Sequence, residues 1–145
     1  PSLVGSEMCI RDSHSTHYRL LAHINEVAEA GLMLADFAYS HWPDEWTKKL
    51  DRQELLQILL LHDLDKYLLL SDESLEMSIA HGTLSAMILN DLGFDSRVIE
   101  AVASHSPSAS LHLDDPASMI LHYCDLFSCD HIYMLVSRTP HYCMK

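Results

Sequence analysis

Apolar residues return every three or four positions over much of this chain, the period of helices that each bury one face. Tyr18, Leu21, Ile24, Val27, Ala28, Leu32, Leu34 and Phe37 predict a first helix over about 14–39. The segment 41–46 (HWPDEW) interrupts it as a connector, because Pro43 disfavours helix at the residue before it and Asp44 can cap whatever element comes next. Asp51 then precedes the run LLQILLLHDLDKYLLL, whose apolar density predicts a deeply buried helix with His62 and Asp63 at its end. After a polar break at 71–74, Leu75 to Leu92 has helical period with Gly93 as a stop, and Asp95-Ser96 opens a further helix ending near Ser104. His81 and His105 are placed on these two. A loop over 106–116 leads to a last apolar helix, roughly Ala117 to Val136, that carries Asp125. In the tail Pro140 opposes helix, while Tyr142 and Met144 offer side chains that could pack.

Composition agrees with an all-α chain. Apolar residues make up 48% of the 145, and four glycines and five prolines are too few for a many-stranded sheet protein. The length suits one domain with one core. Leu3 to Ser13 (LVGSEMCIRDS) looks like a translated sequencing adaptor of the kind that contaminates metagenomic gene models, and it lacks the basic start and long apolar core of a signal peptide. We therefore expect residues 1–13 to be a non-native leader, with the natural start near Ser13 or upstream, and 14–145 to form the domain.

A formal charge of -12 works against nucleic-acid binding, which needs Lys and Arg to neutralise phosphates. Eleven histidines beside that acid excess point to metal. Cys9, Cys124, Cys129 and Cys143 contain no C-x-x-C pair, so reduced thiols in a cytoplasm are expected. No apolar run approaches the ~20 residues of a membrane span. Neither a nucleophile elbow, a Gly-rich phosphate loop nor a Rossmann fingerprint occurs.

The sharpest chemical signal is the doublet His62-Asp63, which delivers an imidazole and a carboxylate together; the two oxygens of Asp63 can bridge two cations. Alone it is a weak sign. Further candidate ligands follow in the order His23, His62-Asp63, His81, His105, Asp125, each in apolar surroundings. Asp125 stands among Tyr123, Cys124, Leu126 and Phe127, where a carboxylate needs a cation or hydrogen bonds to offset desolvation. Cys124 and Cys129 are soft donors in an otherwise His and Asp set and are read as structural. His17 is a rival to His23. His14, His41, His112, His122, His131 and His141 are read as surface or structural.

With AHINEVAEAG, LLLHDLDK, IAHGTLSAMILNDLG, VIEAVASHS and ILHYCDLFS, the chain resembles the HD superfamily, whose pattern is H…HD…H…H…D, over about residues 14–135. The resemblance implies a single compact helical bundle of about five to six helices. It implies a first metal site of His23, His62, Asp63 and Asp125, and a second of His81 and His105 with Asp63 as the bridge. Lys66 falls at the lysine of the family's HD-x-x-K and takes a substrate-binding or supporting role beside Asp63; its rival reading is an exposed helix-end lysine favoured by the dipole. His105 is followed by Ser106, where family members often carry a second His, which leaves one or two ions open, two being favoured.

Fe, Mn, Co, Ni or Zn suits such a donor shell and lowers the pKa of coordinated water from 15.7 to ~7. The implied function is metal-dependent hydrolysis of a phosphate ester of a nucleotide or small phosphorylated metabolite, with selectivity set in the loops 42–46 and 106–116. Two alternatives stay open: a mixed-valent diiron oxygenase of the same superfamily, cleaving an organophosphonate or oxidising a polyol, and a non-catalytic regulatory module. The partner expected is the small phosphorylated or phosphonate substrate, with no nucleic acid and no membrane, and with a homodimer allowed.

Overall fold

A computed structural model describes residues 16–71, 81–106 and 109–144, without the side chains of 16–18 and 68–71. The adaptor-like leader, His14 and the expected helical residues 75–80 lie outside them, as does the His17 side chain. Helices run as α1 (Thr16–His41), α2 (Asp44–Thr47), α3 (Arg52–Leu61), α4 (Leu64–Ser71), α5 (Thr83–Asp91), α6 (Ser96–Ser104) and α7 (Pro116–Leu135), followed by a 3-10 turn at His141–Cys143. No strand occurs among the described residues, so the fold is the all-α bundle that the periodicity predicts.

Local chemistry explains the boundaries. Asp51 caps α3 by accepting from Glu54 N at 2.8 Å, Asp95 caps α6 by accepting from Arg97 N at 2.9 Å, and Asp115 caps α7 by accepting from Ala117 N and Ser118 N at 2.9 and 3.1 Å. Pro116 occupies the first turn of α7, where its missing N–H leaves no hydrogen bond unmade. α1 ends ahead of Pro43.

Three expectations are corrected. Asp44 is not the cap of α2, which comes after Pro43 with no side-chain cap, so the connector holds a single uncapped turn. His81 stands ahead of α5 rather than on it. Gly82, at φ 85, places a left-handed residue there and prevents a helix from running through, so α5 begins at Thr83. In the tail, Tyr142 and Met144 are exposed. The tail is held instead by Asp130, which accepts from the backbone N and ring Nδ1 of His141.

The long helices α1 and α7 pack together, α3 lies against α1, and the pair α5 and α6 leans on α3 through α6. Val27, Leu55, Ile58, Leu89, Val102 and Leu121 form the shared core, and Leu20 joins Ile132 and Tyr133 in a smaller cluster between the start of α1 and the end of α7. α1 approaches α3 closely at Gly31. A methyl group there would meet Leu59 Cδ1 and Cδ2 at 2.5 and 2.7 Å, and Leu59 is fully buried.

Gly31→Ala should therefore lose up to about 2 kcal/mol net, overpacking of about 1–3 kcal/mol outweighing the roughly 1 kcal/mol gained in helix propensity. In a Leu59→Ala background, itself destabilised by about 2–5 kcal/mol, the same substitution should become stabilising because the methyl enters the cavity. Urea unfolding of the four proteins checks this; an unchanged sign in the two backgrounds contradicts the contact.

Candidate metal centre

α3 and α4 meet end to end, and the doublet occupies the junction. His62 is the C-cap residue of α3 and is fully buried. Its Nδ1–H donates to Leu59 O at 2.9 Å, a last-turn carbonyl that the helix leaves free. The same device recurs at the end of α6. There His105 is the C-cap and its Nδ1–H donates to Val102 O at 2.6 Å, again three residues back. In both, anchoring Nδ1 on a carbonyl leaves Nε2 as the free end of the ring.

The other two imidazoles are anchored by side chains. His81 Nδ1–H donates to Asp65 Oδ2 at 3.0 Å, and the same oxygen accepts from Gly82 N at 3.0 Å. His23, in the body of α1, donates from Nδ1 to Ser128 Oγ of α7 at 2.9 Å.

All four Nε2 atoms point at Asp63. His23 and His62 lie 3.3 and 3.5 Å from Oδ2, while His81 and His105 lie 3.1 and 3.7 Å from Oδ1. The two Nε2 atoms on each side are 3.4 Å (His23, His62) and 3.1 Å (His81, His105) apart. Asp125 Oδ1, on α7, is 3.3 Å from His23 Nε2 and 3.9 Å from His62 Nε2. The fold thus brings together all six of the sequence-derived ligand candidates. They fall into the groups His23-His62-Asp63 and Asp63-His81-His105, with Asp125 joining His23 in a third group that also contains Cys129.

Lys66 completes the set. Its Nζ donates to Asp63 Oδ2 at 2.6 Å and the residue is only 5% exposed, so the reading of an exposed helix-end lysine is wrong. One turn into α4 it faces inward.

The donors fit a cation. Imidazole lone pairs and carboxylate oxygens facing one another at these distances repel unless something positive lies among them. Asp63 Oδ1 is buried without a hydrogen-bond partner among the described residues, although His81 Nε2 is 3.1 Å away. Burial opposes a charge on His23, yet its bonds to Asp125 and Asp63 raise its pKa to about 9; the same contest, with Asp63 and Asp65 as partners, raises His81 to about 9. Burial prevails at His62, helped by the neighbouring His105 and His23 rings, and its pKa falls to about 4. Burial also opposes ionisation of Asp63 and Asp125, but Lys66 and His62 hold Asp63, and His23 and His62 hold Asp125, well below the usual carboxylate range. Three carboxylates, Asp63, Asp65 and Asp125, thus face three positive groups, Lys66, His23 and His81.

Several supporting residues escaped the sequence reading. Asp65 orients His81, and its own N–H donates to Ser85 Oγ at 2.8 Å. Gly82 is required twice over: its φ is positive, and a Cβ would meet Val102 O at 2.7 Å and the His105 ring at 3.2 Å. Cys129, set aside as structural, donates Sγ–H to Asp125 Oδ1 at 3.5 Å and stands among the donors. Cys124 is buried and burial pushes its thiol up to about 11, which suits packing. The one available signal was HDLDK itself, where Asp65 stands two residues after the doublet.

An all-helical domain built around a buried His and Asp cluster is the class that this geometry defines. The HD domain family matches residues 20–129, a span that contains all six clustered residues, and the chain belongs to that family. The match points to a superfamily of metal-dependent phosphohydrolase type, and the buried His and Asp groups of this chain are of a kind that could hold a metal ion. No curated protein and no solved structure matches the chain significantly.

His23 and His81 hold protons more tightly when folded than the ordinary imidazole does, so each stabilises the metal-free fold below about pH 6.5, and this contribution is lost as pH rises through 9. A cation taking their Nε2 positions competes with those protons. The rise in Tm produced by a fixed concentration of Zn(II) should therefore grow between pH 6.5 and 9. Differential scanning calorimetry reads it, and an increment that is flat or shrinks over this range contradicts the arrangement.

Proposed function

We propose that this chain is a metal-dependent phosphohydrolase acting on the phosphate ester of a nucleotide or small phosphorylated metabolite. The convergence of four imidazole Nε2 atoms on the two oxygens of Asp63 is the observation that supports it most directly. In this reading His23, His62, Asp63 and Asp125 would hold one divalent cation, and His81, His105 and Asp63 would hold a second. Fe, Mn, Co, Ni and Zn all suit an imidazole and carboxylate shell. Such a cation supplies Lewis acidity, lowering the pKa of a coordinated water from 15.7 to about 7 and polarising a phosphoryl oxygen.

The chain's own residues do the rest. Hydrogen bonds at Nδ1 fix each ring before substrate arrives, so no reorganisation is needed at the moment of reaction. Asp63 presents one oxygen to each pair of rings. Lys66 carries a permanent positive charge beside Asp63 Oδ2; we assign it to the negative charge of the phosphoryl group. Burial of His23, His62, Asp63 and Asp125 keeps bulk water out, which strengthens each of these interactions.

A charge of -12 disfavours a nucleic-acid substrate and fits a small one. Among the described residues no helix is long and apolar enough to cross a membrane. No disulfide joins Cys124, Cys129 or Cys143, and on that ground we propose a cytoplasmic location.

Phosphate release from a panel of nucleotide and sugar monoesters, measured anaerobically with Mn(II), tests the proposal. Asp63→Asn should lower kcat/KM by about 10³-fold, equivalent to about 4 kcal/mol of transition-state stabilisation. Oxygen uptake by the iron-loaded protein with a phosphonate or polyol, and no phosphate release, would select the oxygenase chemistry instead. Metal binding with neither activity would mark a regulatory module.

A further inference from the structure

Four imidazoles face Asp63, and they are not anchored alike. Leu59 O, Val102 O and Asp65 Oδ2 can only accept, so they fix the Nδ1 protons of His62, His105 and His81 by themselves. Ser128 Oγ, the anchor of His23, is a hydroxyl that can either donate or accept. Its direction has to be set by something else.

Glu26 sets it. Ser128 Oγ lies 2.6 Å from Glu26 Oε2, which can only accept, so the single hydroxyl proton goes to the carboxylate. The remaining lone pairs of Ser128 can then only accept, so the neutral ring of His23 holds its proton on Nδ1 and leaves Nε2 for the centre. His131 Nδ1, on α7, donates to both Glu26 oxygens at 2.8 and 3.0 Å and holds the carboxylate in place. The chain of bonds runs from the lip of a cleft of about 580 Å³, which Glu26 and His131 line, to a fully buried Ser128 and then to His23.

We propose that Glu26 and Ser128 are positioning residues that lock the ring of His23 in the tautomer whose Nε2 is free to bind a metal ion. The inference rests on the reading of His23 as a ligand. Without the Glu26 carboxylate, the Ser128 hydroxyl is free to turn and donate to Nδ1. The ring proton then moves to Nε2, where it faces Asp63 and Asp125 and blocks the donor. Glu26→Gln is the sharpest variant, because it keeps shape and can offer an N–H to Ser128, reversing the polarity of the chain. Glu26 is partly exposed and belongs to neither apolar cluster, and glutamine keeps its shape, so the substitution leaves core packing alone.

Two measurements on the full chain test this: zinc affinity by chelator competition, and ring ¹⁵N NMR of the metal-free protein at pH 10, which reports the tautomer of neutral His23. Glu26→Gln should weaken zinc binding about 10–100-fold, the range typical of outer-shell partners, and move His23 from Nδ1–H to Nε2–H, while the Tm of the metal-free protein stays near wild type. Ser128→Ala should weaken zinc in the same direction and supplies the answer if the Gln variant fails to fold. If His23→Ala loses zinc while Glu26→Gln and Ser128→Ala bind as wild type and keep Nδ1–H, the positioning role is overturned and His23 stands as a ligand. If His23→Ala itself binds zinc normally, the ligand reading fails and this inference fails with it.

Discussion

One fully buried carboxylate governs the structure. Asp63 is shut off from bulk solvent, and placing such a charge in a protein interior costs several kcal/mol unless positive or hydrogen-donating groups surround it. Much of what is polar inside this bundle serves that need. Lys66 reaches Oδ2 from one turn further along the chain, His81 and His105 approach Oδ1, and His23 and His62 approach Oδ2. An apolar residue at this position would satisfy the core more simply, and the polar cluster is therefore best understood through the cation that it can hold.

The helices are arranged to serve that cluster. Breaking the buried run at the junction of α3 and α4 puts His62 and Asp63 where two helix ends meet, so both side chains point inward from one short stretch. The C-cap position does further work at His62 and His105, because the carbonyl three residues back anchors Nδ1 and aims Nε2. α1 and α7, packed along each other, contribute His23 and Asp125 from positions 102 residues apart in sequence. Gly82 permits the turn before α5 to press against the end of α6, which brings His81 to His105.

Helix positions were legible because each buried face writes its period into the sequence, and Asp51 and Asp95 announce helix starts by a short-range bond that depends only on neighbours. The six clustered residues were legible as a family pattern, His62-Asp63 being the mark that orders the others. What could not be read was everything decided by distant contacts. Nothing near Ser128 in the chain says that its hydroxyl lies between His23 and Glu26. Placing His81 on a helix failed because periodicity cannot see the backbone conformation of Gly82, although a glycine just ahead of a helical run was a hint. The tail was open in the sequence, and Tyr142 and Met144, which could have packed, stay outside while Asp130 ties down the backbone.

The central claim is that imidazole and carboxylate donors, and no thiolate, form a shared cation site around Asp63. X-ray absorption fine structure on the zinc-loaded protein tests it most directly. The account predicts a first shell of nitrogen and oxygen at about 2.0–2.2 Å with the multiple scattering of at least two imidazoles. A sulfur scatterer at about 2.3 Å, which would bring Cys129 into the shell, or a shell without imidazole, would contradict it.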